Sequence, residues 1–185
     1  MPLPEIIATE TLATSRFFKI EALDLRFSNG VERRYERLPR GGAEGVIVVA
    51  VNRHNELLLI REYAAGFHEI QLTLPKGLVE PQESMEAAAS RELAEEVGFA
   101  ANRTELVKRL TLAPSHMGFS INVVFATDLY PHQLQGDEPE PIELVPWPLQ
   151  RLDELLHNEE FCEARAIAAS ALSRPLVSQL LEAPD

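Results

Sequence analysis

The sequence predicts an α/β protein, and three observations carry that reading. Gly45-Val46-Ile47-Val48-Val49-Ala50-Val51 is a continuous apolar run of strand length, the pattern of a strand buried on both faces. Ser84 to Gly98 has the content of one helix: a capping serine, strong helix formers, a four-spaced apolar stripe of Ala89, Leu93 and Val97, and a terminating glycine. Short alternating segments, punctuated by Gly, Pro and Asn, flank both.

In chain order, Leu23, Leu25 and Phe27 alternate with Asp24 and Arg26, Asn29-Gly30 supplies a two-residue turn, and Val31, Arg33 and Tyr35 resume the alternation, which makes a β-hairpin. Arg40-Gly41-Gly42 reads as a linker. After the buried strand at 45–51, residues 57–63 and 70–74 are further strands, the second stopped by Pro75. Beyond the helix, strands are expected at 105–112 and 121–129. Asp137-Glu138-Pro139-Glu140-Pro141 is a loop, because two prolines remove donors and fix φ. Residues 142–147 form a last strand. Leu149, Leu152, Leu155 and Leu156 begin a helical spacing, and Ala164 to Leu172 forms the C-terminal helix, which Pro175 kinks or follows with a new turn.

At 185 residues the chain suits one domain with a full core and a small appendage, divided here as 1–42 and 43–185. A formal charge of −12 argues against a general nucleic-acid or anionic-membrane binder, since both need Lys and Arg patches that release counterions. Cys162 is the sole cysteine, so no internal disulfide or cysteine-rich zinc site is possible; it reads as a small buried residue in a reducing compartment. No apolar run reaches the length of a membrane span, and residues 1–10 lack the order of a signal peptide, so a cytoplasmic enzyme is expected. His116 and His132 are assigned to loops, since neither has a second ligand at metal spacing.

Chemistry concentrates between Gly77 and Phe99. On a helix Glu92, Glu95 and Glu96 stand at i, i+3 and i+4, with Cβ atoms about 5–6 Å apart on one face. Their repulsion raises one another's pKa unless a hard cation intervenes. Mg²⁺ suits the place, because it takes a few carboxylates and completes its shell with water and substrate phosphates; Mn²⁺ is the expected substitute. Most acidic helix faces are merely solvated. Here, however, Gly77, Glu83, Arg91, Glu92, Glu95, Glu96 and Gly98 recur in a fixed pattern that chance would place at a given position with probability on the order of 10⁻⁹.

Gly77, five residues, Glu83, seven residues and Arg91-Glu92-Leu93-Ala94-Glu95-Glu96-Val97-Gly98-Phe99 resemble the box of the Nudix hydrolase superfamily at every specified position. Arg61-Glu62-Tyr63-Ala64, Leu74-Pro75-Lys76-Gly77, Ala113-Pro114-Ser115 and residues 136–141 resemble the branch of that superfamily that hydrolyses ADP compounds. The resemblance implies an α/β/α sandwich with a mixed sheet plus an N-terminal β-hairpin subdomain. It also implies Mg²⁺-dependent hydrolysis of ADP-ribose, diadenosine polyphosphates and NADH to AMP and a phosphorylated remainder.

By the same resemblance Glu92 and Glu96 are metal ligands, Glu95 ligates or orients water, Glu83 acts from the preceding loop, and the Lys76 carbonyl adds an oxygen. Arg91 has two readings, a salt-bridge partner of Glu83 or Glu95 and a phosphate contact. The proton acceptor is Glu138 or Glu140 of the acidic loop, a segment that would otherwise be a solvated turn.

Arg34, Glu36, Arg37 and Arg61, with Glu140, are the candidates for substrate contact. Tyr35 and Phe27 are assigned to core packing, with stacking on adenine as the alternative. Pro114, fifteen residues after Phe99 (114 − 99 = 15), accompanies ADP-ribose pyrophosphatases, whereas Pro75-Lys76-Gly77 also occurs in diadenosine polyphosphate hydrolases. The hairpin is expected to dimerise and to reach substrate, giving a homodimer. Two other readings remain: a pyrophosphatase that removes damaged nucleoside triphosphates, and a non-catalytic Nudix-fold binding module.

Overall fold

The computed structural model describes residues 1–41, 44–136 and 138–182. Gly42 of the expected linker and Asp137 of the acidic loop lie outside the described residues. Packing divides the chain into two units, Met1–Glu44 with Thr111–Ser120, and Gly45–Leu110 with Ile121–Asp185.

The first unit holds a three-stranded antiparallel sheet, β1 (Glu5–Thr14), β2 (Lys19–Arg26) and β3 (Glu32–Arg37), in that order. β2 and β3 are the expected hairpin, with Leu23 opposite Tyr35 and Asp24 opposite Arg34. Its turn has three residues rather than two: Phe27 N–H donates to the Val31 carbonyl and Gly30 N–H to the Phe27 carbonyl, both at 2.9 Å, with Gly30 at φ 81°. β1 escapes the alternation test because the pairing shifts register twice, between Ile6 and Ala8 and between Thr11 and Ala13. Of the unit's described apolar side chains, Ala22 and Leu23 are buried, whereas Ile6, Ile7, Leu12, Phe17 and Phe18 are exposed. Tyr35 is 48% exposed, its ring 6.3 Å from that of Phe27, so Tyr35 does not pack a core as expected. Leu38 bridges Met117 in parallel, and Gly118 allows the approach, since a Cβ there would lie 2.4 Å from the Arg40 amide nitrogen.

The second unit contains β4 (Gly45–Ala50), β5 (Glu56–Ala64), β6 (Glu69–Thr73), β7 (Lys76–Leu78), α1 (Met85–Glu96), β8 (Phe99–Leu112), β9 (Phe119–Pro131) and β10 (Glu143–Pro148). A 3₁₀ turn at Leu149–Arg151 then leads into α2 (Leu152–Leu155), α3 (Ala164–Leu172) and α4 (Arg174–Glu182). Two sheets form, ordered β10-β5-β6 and β7-β4-β9-β8; the second is mixed, with β4 parallel to β9 and antiparallel to β7. Every residue of β4 is buried. Val46, Val48 and Ala50 cluster with Ala88, Ala89, Leu93 and Val97 of α1, while α3 also packs on β4, whose Ile47 and Val49 point the other way. Helix, sheet and helix thus stack as the expected α/β/α sandwich.

β8 begins at Phe99, six residues earlier than its alternation suggested. Pro175 sits at the start of α4, where its missing N–H costs nothing, instead of kinking α3. Cys162 is exposed, which corrects its reading as a buried residue. No helix of the described residues is long and apolar enough to cross a membrane.

Leu93 is fully buried between α1 and β4. Leu93→Ala should lower unfolding free energy by about 2–5 kcal/mol, read from a denaturant titration. A loss under about 1 kcal/mol would show that this face is not the core it looks like.

Candidate active site

The acidic helix is held at both ends by its own sequence. The Ser84 hydroxyl accepts from the Ala87 amide at 3.1 Å, and Gly98 takes φ 75° just past Val97, whose N–H closes the last turn on the Leu93 carbonyl. With Ala89, Leu93 and Val97 turned into the core, Glu92 and Glu96 stand at its margin, each buried to 7% exposure.

Arg91 organises the acids around it. Its Nε donates to Glu83 Oε1 at 3.0 Å, and Nη1 donates to Glu92 Oε1 at 2.8 Å and Glu95 Oε2 at 3.0 Å. Nη2 donates to the Leu78 carbonyl at 2.8 Å and Glu83 Oε2 at 3.0 Å. A guanidinium has five N–H donors, and all five are engaged here. The salt-bridge reading of Arg91 therefore matches the geometry, and no donor is left over for a phosphate. Bidentate pairing with Arg91 holds the Glu83 carboxyl below its usual range, and the same bond raises Arg91.

Glu92 and Glu96 are shifted the other way. Burial raises both, and pushes Glu96 up to about 9 although Lys76 beside it acts in the opposite sense. Glu96 Oε2 accepts from the Lys76 amide at 3.0 Å, and the Lys76 ammonium pairs with Glu62. Gly77 gives the Glu92 carboxylate its place: a Cβ at Gly77 would lie 2.0 Å from Glu92 Oε1.

Among the described residues no three His, Cys, Asp or Glu side chains are already gathered as a metal cage. The physical reason is visible, since Glu83, Glu92 and Glu95 turn toward the Arg91 guanidinium. The donor set nevertheless fits a hard divalent cation. Glu92 and Glu96 offer buried carboxylate oxygens whose charge is costly without one, and Gly77 leaves a cradle that a side chain there would fill.

The acidic loop lies alongside. Glu95, Glu96, Gln133, Gly136, Glu138 and Glu140 line a cleft of about 410 Å³, and Glu138 is among the charges that raise Glu92. Arg61 belongs to this unit but is paired with Glu143 at 3.6 Å and Glu160 at 2.9 Å. Of the other substrate candidates Glu140 lines the cleft above, and three lie in the first unit: Arg34 pairs with Asp24 and Glu10, Arg37 with Glu21 at 3.1 Å, and Glu36 is exposed. Within that unit Tyr35, Glu36, Arg37, Arg40, Pro114 and His116 line a cleft of about 280 Å³. Sequence reasoning did not single out Glu62 or Gln133; neither stands in a helical period with the acids, and their partners lie 14 and 39 residues away.

This sandwich, with a glycine-cradled acidic helix on its sheet, is the architecture of a Nudix hydrolase. The NUDIX domain model matches residues 42–170 and the NudE-type Nudix hydrolase N-terminal domain model residues 4–37, so the chain belongs to the Nudix hydrolase family. It is 48% identical over 171 residues to the ADP compounds hydrolase NudE of Escherichia coli (strain K12), covering 92% of this chain and 91% of that one. It is 24% identical over 165 residues to an ADP-ribose pyrophosphatase of Bacillus subtilis (strain 168), covering 88% of each. A crystal structure of an ADP compounds hydrolase superposes with a TM-score of 0.93 at 46% identity, over 97% of both chains. Nudix hydrolases generally use divalent metal ions.

Burial of Glu96 has a measurable consequence. The unfolded chain releases this proton near the ordinary value of 4.5, whereas the folded, cation-free protein keeps it to about 9. Between those values the folded state binds more protons, so stability falls as pH rises. In EDTA the Tm advantage of Glu96→Gln over the parent should therefore widen from about pH 5 to about pH 8, and a saturating divalent cation should reverse it. A pH-independent difference would sink this account of Glu96.

Proposed function

We propose that the chain hydrolyses the pyrophosphate bond of ADP-linked compounds, among them ADP-ribose, diadenosine polyphosphates and NADH, with AMP as the common product and Mg²⁺ as the cation, Mn²⁺ substituting. The observation that carries the reading is the pair of buried carboxylates, Glu92 and Glu96, on a helix whose Arg91 is saturated by the neighbouring acids. The likeness to an ADP compounds hydrolase along nearly the whole chain supports the substrate class.

Glu92 and Glu96 would hold the cation, with Glu83, Glu95 and the Lys76 carbonyl as further oxygens; when bound it neutralises phosphate charge and makes water more acidic. Arg91 keeps Glu83 and Glu95 from repelling each other out of place. Glu138 takes the proton that water loses as it attacks a bridging phosphorus, with Glu140 the nearby alternative. Arg34, Glu36, Arg37 and Arg61 contact the ribose and phosphates beyond the bond that breaks. Residues 1–42 serve substrate contact and dimerisation, residues 43–185 carry the chemistry, and the setting is cytoplasmic. The exposed apolar residues of β1 and the following turn support the homodimer, because so thin a sheet needs a surface to pack on.

Glu96→Gln keeps shape but loses a charged oxygen, and should reduce turnover at least about a hundredfold while the protein stays folded. Normal activity with unchanged Mg²⁺ dependence would refute the ligand assignment. Glu138→Gln should lower kcat for ADP-ribose, NADH and diadenosine triphosphate alike with KM nearly constant, as for an interaction made mainly in the transition state. Loss on a single substrate would move Glu138 from catalysis to recognition. Light scattering coupled to size exclusion should give twice the chain mass of 20.7 kDa at micromolar concentration; an active monomer would rule the dimer out.

A further inference from the structure

Residues 132–134 fasten the root of the acidic loop to the end of the acidic helix. α1 ends with carbonyls that have no partner inside the helix. The Ala94 carbonyl accepts the Leu134 amide at 2.9 Å and the Gln133 side-chain Nε2 at 3.2 Å, while Nε2 lies 3.5 Å from the Glu95 carbonyl and 2.9 Å from that of Leu134. The His132 amide donates to the Gly98 carbonyl at 3.0 Å. Side-chain donors at a helix C-terminus satisfy its carbonyls and oppose its dipole. Gln133 Oε1 packs on the bare Cα of Gly98, where a Cβ would stand 2.6 Å from it.

Five residues beyond this fastening is Glu138. Its Oε2 would lie 2.5 Å from a Cβ at Gly136, and the Glu95 carbonyl oxygen lies 3.7 Å from that same point. The Glu138 carboxylate thus folds over Gly136 toward the end of α1, in the cleft that Glu95 and Glu96 line.

We propose that Gln133 is a positioning residue: its amide clamps the root of the acidic loop to the C-terminal carbonyls of α1 and so sets where Glu138 stands for proton transfer. The inference rests on Glu138 being the proton acceptor. The Leu134 and His132 amides hold the same root through backbone bonds, so loss of the Gln133 amide shifts the loop and the Glu138 carboxylate with it instead of freeing them. Misplacement by about 1 Å already costs on the order of a hundredfold.

The test compares Gln133→Ala, Gln133→Lys, Glu138→Gln and the double variant Gln133→Ala/Glu138→Gln in the full-length protein. It measures kcat and KM for ADP-ribose, the Tm rise on adding Mg²⁺, and hydrogen exchange at the Leu134 amide. Gln133→Ala should lower kcat about ten- to a hundredfold, leave KM and the Mg²⁺-induced Tm rise unchanged, and speed Leu134 exchange. Gln133→Lys, which keeps a donor, should recover most of kcat. In the Glu138→Gln background the same Ala substitution should add less than about threefold, because the group it positions is already gone. A role in stability alone would also lower apparent kcat at constant KM, through a smaller folded fraction, but its loss would multiply through the double variant.

Parental kcat in Gln133→Ala, losses that multiply, or unchanged Leu134 exchange would each overturn the clamp while leaving Glu138 as the base. Parental kcat in Glu138→Gln would overturn the base assignment, and the coupling through it as well.

Discussion

One guanidinium decides whether the acidic face can exist. Glu83, Glu92 and Glu95 converge on Arg91, and Glu96 lies beside Lys76, whose ammonium is shared with Glu62. Five carboxylates against two cations leave an excess of three negative charges if all are ionised (5 − 2 = 3). The imbalance is not spread evenly. Glu83, with both oxygens on Arg91, is pulled toward ionisation, while Glu92 and Glu96, more deeply buried, are pushed toward the neutral form. Glu92 and Glu96 are thus the two acids whose charge a divalent ion would do most to offset.

The scaffold makes that concentration of charge tolerable. α1 spends its apolar stripe on β4, so the core fixes the rotation of the helix and with it the direction of Glu92 and Glu96. β7 then brings two backbone features against the acids, the Lys76 amide on Glu96 and the bare Cα of Gly77 under Glu92. β7 is only three residues long, pairs with β4, and is tied through the Lys76 side chain to Glu62 on β5 of the other sheet. At exposures of 11% and 27% this ion pair is less screened by water than a surface pair, against a larger desolvation cost.

The acidic helix was legible in the sequence because its rules are local. Ser84, Gly98 and the stripe at Ala89, Leu93 and Val97 each act within a turn or two of the residue they serve, and the spacing of Glu92, Glu95 and Glu96 follows from the helix once it exists. The buried strand was legible too, since burial on both faces leaves a solid apolar run. What escaped depends on partners distant in sequence. β1 has no interior to face, so its apolar residues keep no strict alternation, and its register shifts break what pattern there is. β7 is too short for any period. Gln133 and Glu62 are ordinary polar residues until folding brings α1 and β7 to them. Cys162 was misplaced by composition alone: cysteines are commonly buried, but this one follows the buried Phe161 and faces water.

A chain of charge −12 offers few cations to a phosphate group. Arg34, Arg37 and Arg61 are each already paired with one or two carboxylates. Arg34 and its partners are largely exposed, as are the acids on Arg61, so water screens these pairs. Exchanging a carboxylate for a phosphate oxygen therefore costs little. Arg37 differs, because its partner Glu21 is buried and is held ionised first by Lys19 and then by Arg37 itself. Taking Arg37 away would leave Glu21 with a single cation. A change of partner therefore costs Arg34 and Arg61 less than it costs Arg37.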